Sequence, residues 1–211
     1  MNQELPDHIV YSPAVIEFVT VAAETCLFLE NATEQTRKDF VMKAVKIMPL
    51  LYLKASMLEI PEPVFDDGAE RFVTEEDYLY VKEQVEQILG ADDSYLEVFH
   101  PDMSISDTPI AAFVSENLAD IYQELKDFAA NYQTIDTDIM NDALVVCLRA
   151  FGEHWGQKLL NAQRALHALR FSDSFLNEEE EEIVANQKIN RNAFLNFLQD
   201  DDEDELSDKL L

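Results

Sequence analysis

Four carboxylates stand at spacings that could hold a divalent cation: Glu83 with Glu86, and Glu124 with Asp127. Each pair is three residues apart, which puts both side chains on one helix face. Paired acids on neighbouring helices are how all-helical nucleotide pyrophosphohydrolases hold magnesium, an ion that takes oxygen ligands. With 43 acids among 211 residues, about eight such pairs arise from composition alone. The reading of a metal-dependent nucleotide hydrolase therefore depends on whether all four carboxylates converge.

Other chemistry is sparser. Glu97 and His100 make one ExxH pair, whereas a di-iron bundle needs two such pairs and two further Glu. His8, His154 and His167 have no Glu three residues before them, and Pro101 ends any helix there. There is no CxxC, HExxH, GxSxG or Walker loop, and four glycines leave no glycine-rich turn. The expectation is a protein with no cofactor and no catalytic residues. Cys26 and Cys147 lie far apart in apolar helical stretches and read as reduced core thiols. Gly152 and Gly156 form a GxxxG in a helix too polar to span a membrane. Because glycine costs a helix interior up to about 1 kcal/mol relative to alanine, a close backbone approach or a local bend is expected there.

The 15 basic residues are unevenly placed. Arg37, Lys38, Lys43, Lys46 and Lys54 stud one predicted helix, and Arg149, Lys158, Arg164 and Arg170 another. If the two are neighbours, Lys43, Lys46, Lys54, Arg149, Lys158, Arg164 and Arg170 would line a positive groove with Trp155 and His167. Such a groove suits a small anion or an acidic peptide. The competing expectation is internal pairing with nearby acids, each exposed pair contributing little. Lys158 falls within an apolar arc and is either a snorkelling stem or a charge with an acidic partner. Trp155 and Tyr52 read as core aromatics, because both lie in apolar stretches.

The elements that must position these residues are helices. Apolar positions from Leu144 to Leu169 recur at steps of three and four, predicting one uninterrupted helix from Asp136 to Phe171 as the central mast of the domain. Ser12 and Pro13 predict a cap and first helical position, with Val15, Val19, Ala22, Cys26 and Leu29 on the buried face and an end near Asn31. A second helix opens at Thr33 or Thr36, and Pro49 should kink it or split it at Met48. Ile60 to Arg71 is a connecting loop rather than an interdomain linker. Thr74 with Asp77 predicts a capping box, and Gly90 a left-handed helix end. Between Ala91 and Asp107 the pattern allows one helical turn around Tyr95 to Phe99. Thr108 and Pro109 repeat the cap-then-proline signature before a helix carrying Val114, Leu118, Ile121, Leu125, Phe128 and Tyr132. No strand pattern and no solenoid repeat is legible.

Several of these segments, VIEFVTVAAETCLFLE from Val15, MPLLYLKASML from Met48, ENLADIYQELKDF from Glu116 and WGQKLLNAQRALHAL from Trp155, resemble the bacterial family named domain of unknown function 5063. The likeness covers about Pro13 to Phe171 in the right order, and the WGQ to ALHAL block is its most specific part. It implies an all-helical cytoplasmic protein and supplies no activity or catalytic residues.

After Phe171 the composition changes. Residues 173 to 211 hold 13 acids and three bases, with unbroken runs from Glu178 to Glu182 and Asp200 to Glu205. Like charges repel and extend, which predicts a solvated tail. Its apolar residues, Ile183, Val184, Ile189, Phe194 and Leu195 among them, leave room for one or two short helices that dock on the bundle or on a partner. The expected organisation is a helical bundle over 1–172 and an acidic tail over 173–211.

The sequence thus predicts an all-α, mostly antiparallel bundle of about five main helices. A formal charge of -28 disfavours nucleic acid and anionic lipid, whose contacts depend on Lys and Arg. It fits a basic protein partner, or simply solubility. The opening MNQELPDH lacks the basic start and apolar run of a signal peptide, and Glu17 and Glu24 interrupt the longest apolar stretch. A cytoplasmic, non-catalytic protein with no membrane attachment is expected.

Overall fold

A computed structural model describes residues 7–66, 68–97 and 110–176. The chain divides into two units, Met1–Leu169 and Arg170–Leu211. Six α-helices build the first: α1 (Pro13–Glu30), α2 (Arg37–Ser56), α3 (Glu75–Leu89), α4 (Val114–Tyr132), α5 (Thr137–Ala150) and α6 (Gly156–Arg170), the last crossing into the second unit. The fold is all-α apart from one two-stranded ribbon.

Helix starts follow local chemistry. The Ser12 hydroxyl accepts the Val15 N–H at 3.3 Å, with Pro13 at the first helical position. Thr36 caps α2 through the Asp39 N–H, and Thr74 and Asp77 form a reciprocal capping box on α3. Gly90 ends α3 with φ 56° and ψ -123°, a conformation outside the ordinary left-handed helical well but open to glycine alone.

Residue pairs give the helix directions. Phe28 stacks on Phe40, while Lys54 pairs with Glu17, so α1 and α2 are antiparallel. Phe18 stacks on Phe128, and Glu30 at the far end of α1 meets Tyr122, so α1 and α4 are antiparallel as well. Tyr78 with Asp120 and Lys82 with Glu116 set α3 against α4 in the same sense. α4 is therefore flanked by α1, α3 and α5, and 12 of its 19 residues are buried. It takes the central place that the sequence suggested for the segment from Asp136 to Phe171.

That segment is not one uninterrupted α-helix. A five-residue π turn, Phe151–Trp155, separates α5 from α6. Gly156 permits this turn, since a Cβ there would sit 2.5 Å from the Phe151 carbonyl oxygen and 2.9 Å from its ring. Only four of the 15 residues of α6 are buried, against eight of 14 in α5. The expected five main helices become six for this reason.

α2, by contrast, is not split. It runs through Pro49 from Arg37 to Ser56. Proline lacks the N–H that would reach the Val45 carbonyl, four residues back. That carbonyl instead accepts the side-chain amide of Gln163 on α6 at 3.3 Å.

The turn expected around Tyr95 to Phe99 is a strand over its described part. β1 (Ser94–Leu96) pairs antiparallel with β2 (Ala111–Phe113), Tyr95 opposite Ala112. Thr108 and Pro109 lie outside the described residues, and α4 begins later, at Val114. Its first turn is held by buried Asp93, whose two oxygens accept the Ser115 N–H and hydroxyl at 2.7 Å each. A cap supplied from 22 residues away replaces the local cap that the Thr-Pro pair suggested.

In the second unit, the Ser172 carbonyl accepts the Leu176 N–H at 3.1 Å, and the Arg170 guanidinium lies over the Phe171 and Phe175 rings. The acidic runs at Glu178 to Glu182 and Asp200 to Glu205 lie outside the described residues.

Candidate functional site

The two carboxylate pairs do not converge. Arg71 Nη1 donates to Glu124 Oε1 at 3.0 Å and to Asp127 Oδ2 at 3.1 Å, while Asp127 Oδ1 accepts the backbone N–H groups of Phe72 and Val73 at 2.7 and 2.9 Å. Glu83 and Glu86 stand exposed on α3. Among the described residues, no group of three or more His, Cys, Asp or Glu is arranged to hold a metal ion. The four-carboxylate site expected from the sequence is not formed, because the pair on α4 is occupied by a guanidinium and by backbone. Burial works against the Arg71 charge, but the hydrogen bonds and charges of Glu124 and Asp127 outweigh it. His100 of the ExxH pair lies outside the described residues, and Glu97 accepts from the Tyr95 hydroxyl.

Asp127 is one half of a clasp on the loop between α2 and α3. On α5, the buried Asp142 accepts the Val64 and Phe65 N–H groups at 2.7 Å each, and Asn141 Nδ2 donates to the Glu62 carbonyl at 2.8 Å. Asn131 does the same for the Glu70 carbonyl at 2.8 Å. A long connection is thus fixed by four side chains that satisfy its backbone groups. The sequence signal was available: Asn131, Asn141 and Asp142 are small polar residues at core positions of helices.

The predicted basic groove is broken up. α2 and α6 do meet, at Gln163 and Val45 and through the edge contact of Tyr52 with Phe151 in the π turn. Trp155 does not line a groove, however. It is fully buried, and its indole N–H donates to the Cys147 carbonyl at 3.0 Å. Lys158 pairs with Asp120 and Lys54 with Glu17, while Lys43 donates to the Gln35 side chain. Lys46, Arg149, Arg164 and His167 are exposed, and Arg170 belongs to the second unit. Cys26 and Cys147 are buried free thiols, and burial pushes Cys26 up to about 12.

The structure brings together a different constellation, one that was not singled out from the sequence. Tyr122 and Lys126 are one turn apart on α4, and both reach Glu30, the last residue of α1. Glu30 Oε1 accepts the Tyr122 hydroxyl at 2.8 Å and Lys126 Nζ at 2.7 Å, while the Glu30 carbonyl accepts the Tyr80 hydroxyl at 3.2 Å. With Asn31, Phe72, Val73, Asp77 and Ala130 these residues line an open cavity of about 380 Å³. The hydrogen bond to Glu30 raises the Lys126 pKa, which keeps the ammonium charged. Burial, then the bond to Glu30, raises that of Tyr122, which keeps the phenol neutral. The volume lies at the small end of ligand sites.

Fold and site together define an all-α helical bundle with a clasped interhelical loop and a polar, aromatic-walled cavity. The chain belongs to the family described as domain of unknown function (DUF5063), whose model matches residues 9–172. It is similar to protein BF1032 from Bacteroides fragilis, known from a crystal structure, at 44% identity and a TM-score of 0.69, over 78% of this chain and 97% of that one. No curated protein matches the chain. No helix among the described residues is long and apolar enough to cross a membrane.

Proposed function

We propose that the protein is a non-catalytic binding protein that takes a basic segment of another protein on the outer face of α3. One observation carries this reading: α3 exposes Glu75, Glu76, Glu83 and Glu86 around the apolar Leu79 and Tyr80. Its one cation, Lys82, is drawn aside to Glu116 on α4 at 3.4 Å. An acidic helix face with apolar centres complements a segment that alternates cations with apolar anchors. The formal charge of -28 acts in the same direction over longer range. The acidic runs of residues 173–211, whose structure is outside the described residues, would add to the attraction.

The test is titration of the full chain with an amphipathic Lys/Leu helical peptide at two salt concentrations. Tight binding that weakens with salt, and falls about tenfold or more when Glu75, Glu76, Glu83 and Glu86 are changed to Lys, is expected. Equal affinity of the reversed protein would remove α3 as the docking face. Removal of residues 173–211 is expected to weaken capture further.

A further inference from the structure

We propose that the cavity between the end of α1 and the start of α3 is a socket for one arginine side chain of the segment that docks on α3. The inference rests on the reading of α3 just given and adds to it a particular side chain and the residues that receive it.

The cavity mouth and the docking face share a residue. Tyr80 is 50% exposed on α3 and also lines the cavity, so a segment lying along α3 passes the opening. Inside, Glu30 and Asp77 stand against the single cation Lys126, leaving the lining one charge negative. Lys126 and Tyr122 both use Glu30 Oε1, and Thr74 uses Asp77 Oδ2. Among the described residues, Glu30 Oε2 and Asp77 Oδ1 accept no hydrogen bond. Two carboxylate oxygens of lining residues are therefore without a protein donor among the described residues, and Phe72, Tyr80 and Tyr122 line the same cavity.

A guanidinium answers both features, since it offers several N–H donors in one plane and stacks on aromatic faces. A compact ammonium meets the charge but gains less from the rings. An anion meets a net negative wall, and an apolar group would cover the free carboxylate oxygens without pairing them.

The test uses the full chain and Nα-acetyl-arginine N-methylamide, followed by amide shifts in two-dimensional NMR. Shifts at Phe72, Val73, Asp77 and Tyr80 are expected, with weaker ones from the lysine analogue and none from the uncharged citrulline analogue. Glu30→Gln keeps an acceptor for Tyr122 and Lys126 but removes the charge, and should weaken binding about tenfold. Tyr80→Ala, at a half-exposed position, should weaken it as well while leaving the fold intact. If arginine and citrulline act alike, or if both variants bind as the wild type does, the socket is overturned. The two readings separate cleanly. Peptide capture that survives in Glu30→Gln with no arginine-specific shifts retains α3 and removes the socket. Arginine-specific shifts that persist when Glu83 and Glu86 are changed to Lys, in a protein that captures no peptide, retain the socket and remove the α3 face.

Discussion

The side-chain amide of Gln163 donates to the backbone carbonyl of Val45, which is the acceptor that Pro49 leaves without a partner. One helix thus repairs the hydrogen-bond defect of another, and α2 continues through a residue that ordinarily ends a helix. The prediction is a coupling. Gln163→Ala should cost about 1 kcal/mol in the wild type and nearly nothing in a Pro49→Ala background, where the helix supplies its own donor. Urea denaturation of the four proteins in the cycle measures it, and equal costs in both backgrounds would show that the contact is incidental.

The glycine within the π turn and the one just after it should behave in opposite ways. A methyl group at Gly156 meets the Phe151 carbonyl at 2.5 Å, whereas one at Gly152 meets nothing within 4 Å. Gly156→Ala is expected to destabilise by about 2 kcal/mol through overpacking. Gly152→Ala should be neutral or stabilising by up to about 1 kcal/mol. Thermal unfolding of the two variants, side by side, is sufficient.

Asp142 should make stability depend on acid pH. Its burial works to raise the pKa, but the Val64 and Phe65 N–H groups, Asn141 and the charge of Arg149 together hold it below the usual carboxylate value. A carboxyl lowered on folding stabilises the protein above its unfolded pKa, about 3.9, and that contribution is lost as pH falls through the lower folded value. The stability gap between wild type and Asp142→Asn should therefore be level from neutral pH to about 5 and shrink below about 4. The difference between two nearly identical chains removes the general effect of a large net charge. A gap that stays level down to about pH 2.5 would mean that the clasp does not favour the ionised form.

Ile135 offers a stabilising change. It has φ 61° in the turn between α4 and α5 and is 78% exposed. A β-branched residue is strained there and buries little in return. Ile135→Gly should raise stability by about 0.5–1 kcal/mol, the relief exceeding the entropy lost by glycine. A melting temperature equal to or below that of the wild type would contradict this.

Legibility in the sequence followed the range of the interaction. Ser12, Thr36 and Thr74 announce their helices because a cap is settled within three residues. The strands Ser94–Leu96 and Ala111–Phe113 are three residues each, too short for a period to show, and Asp93 caps α4 from across the ribbon. For Glu124 and Asp127, spacing revealed a shared face but could not distinguish an ion from the Arg71 guanidinium. The cavity depends on Glu30 meeting Tyr122 across 92 residues, a relationship that no local pattern records. Trp155 illustrates the reverse limit: the same basic and aromatic residues that suggest a groove also fit a core position, and burial decided for the core.

The clasp on the loop between α2 and α3 has a consequence for how the chain is made. Asp127, Asn131, Asn141 and Asp142 all follow the segment they fasten, by 54 to 79 residues. As a ribosome delivers the polypeptide, the loop therefore emerges well before its anchors and must wait, solvated, until α4 and α5 have been translated. Its ordering is a late event of biosynthesis, and a truncated product ending before Asp127 would carry an unfastened loop.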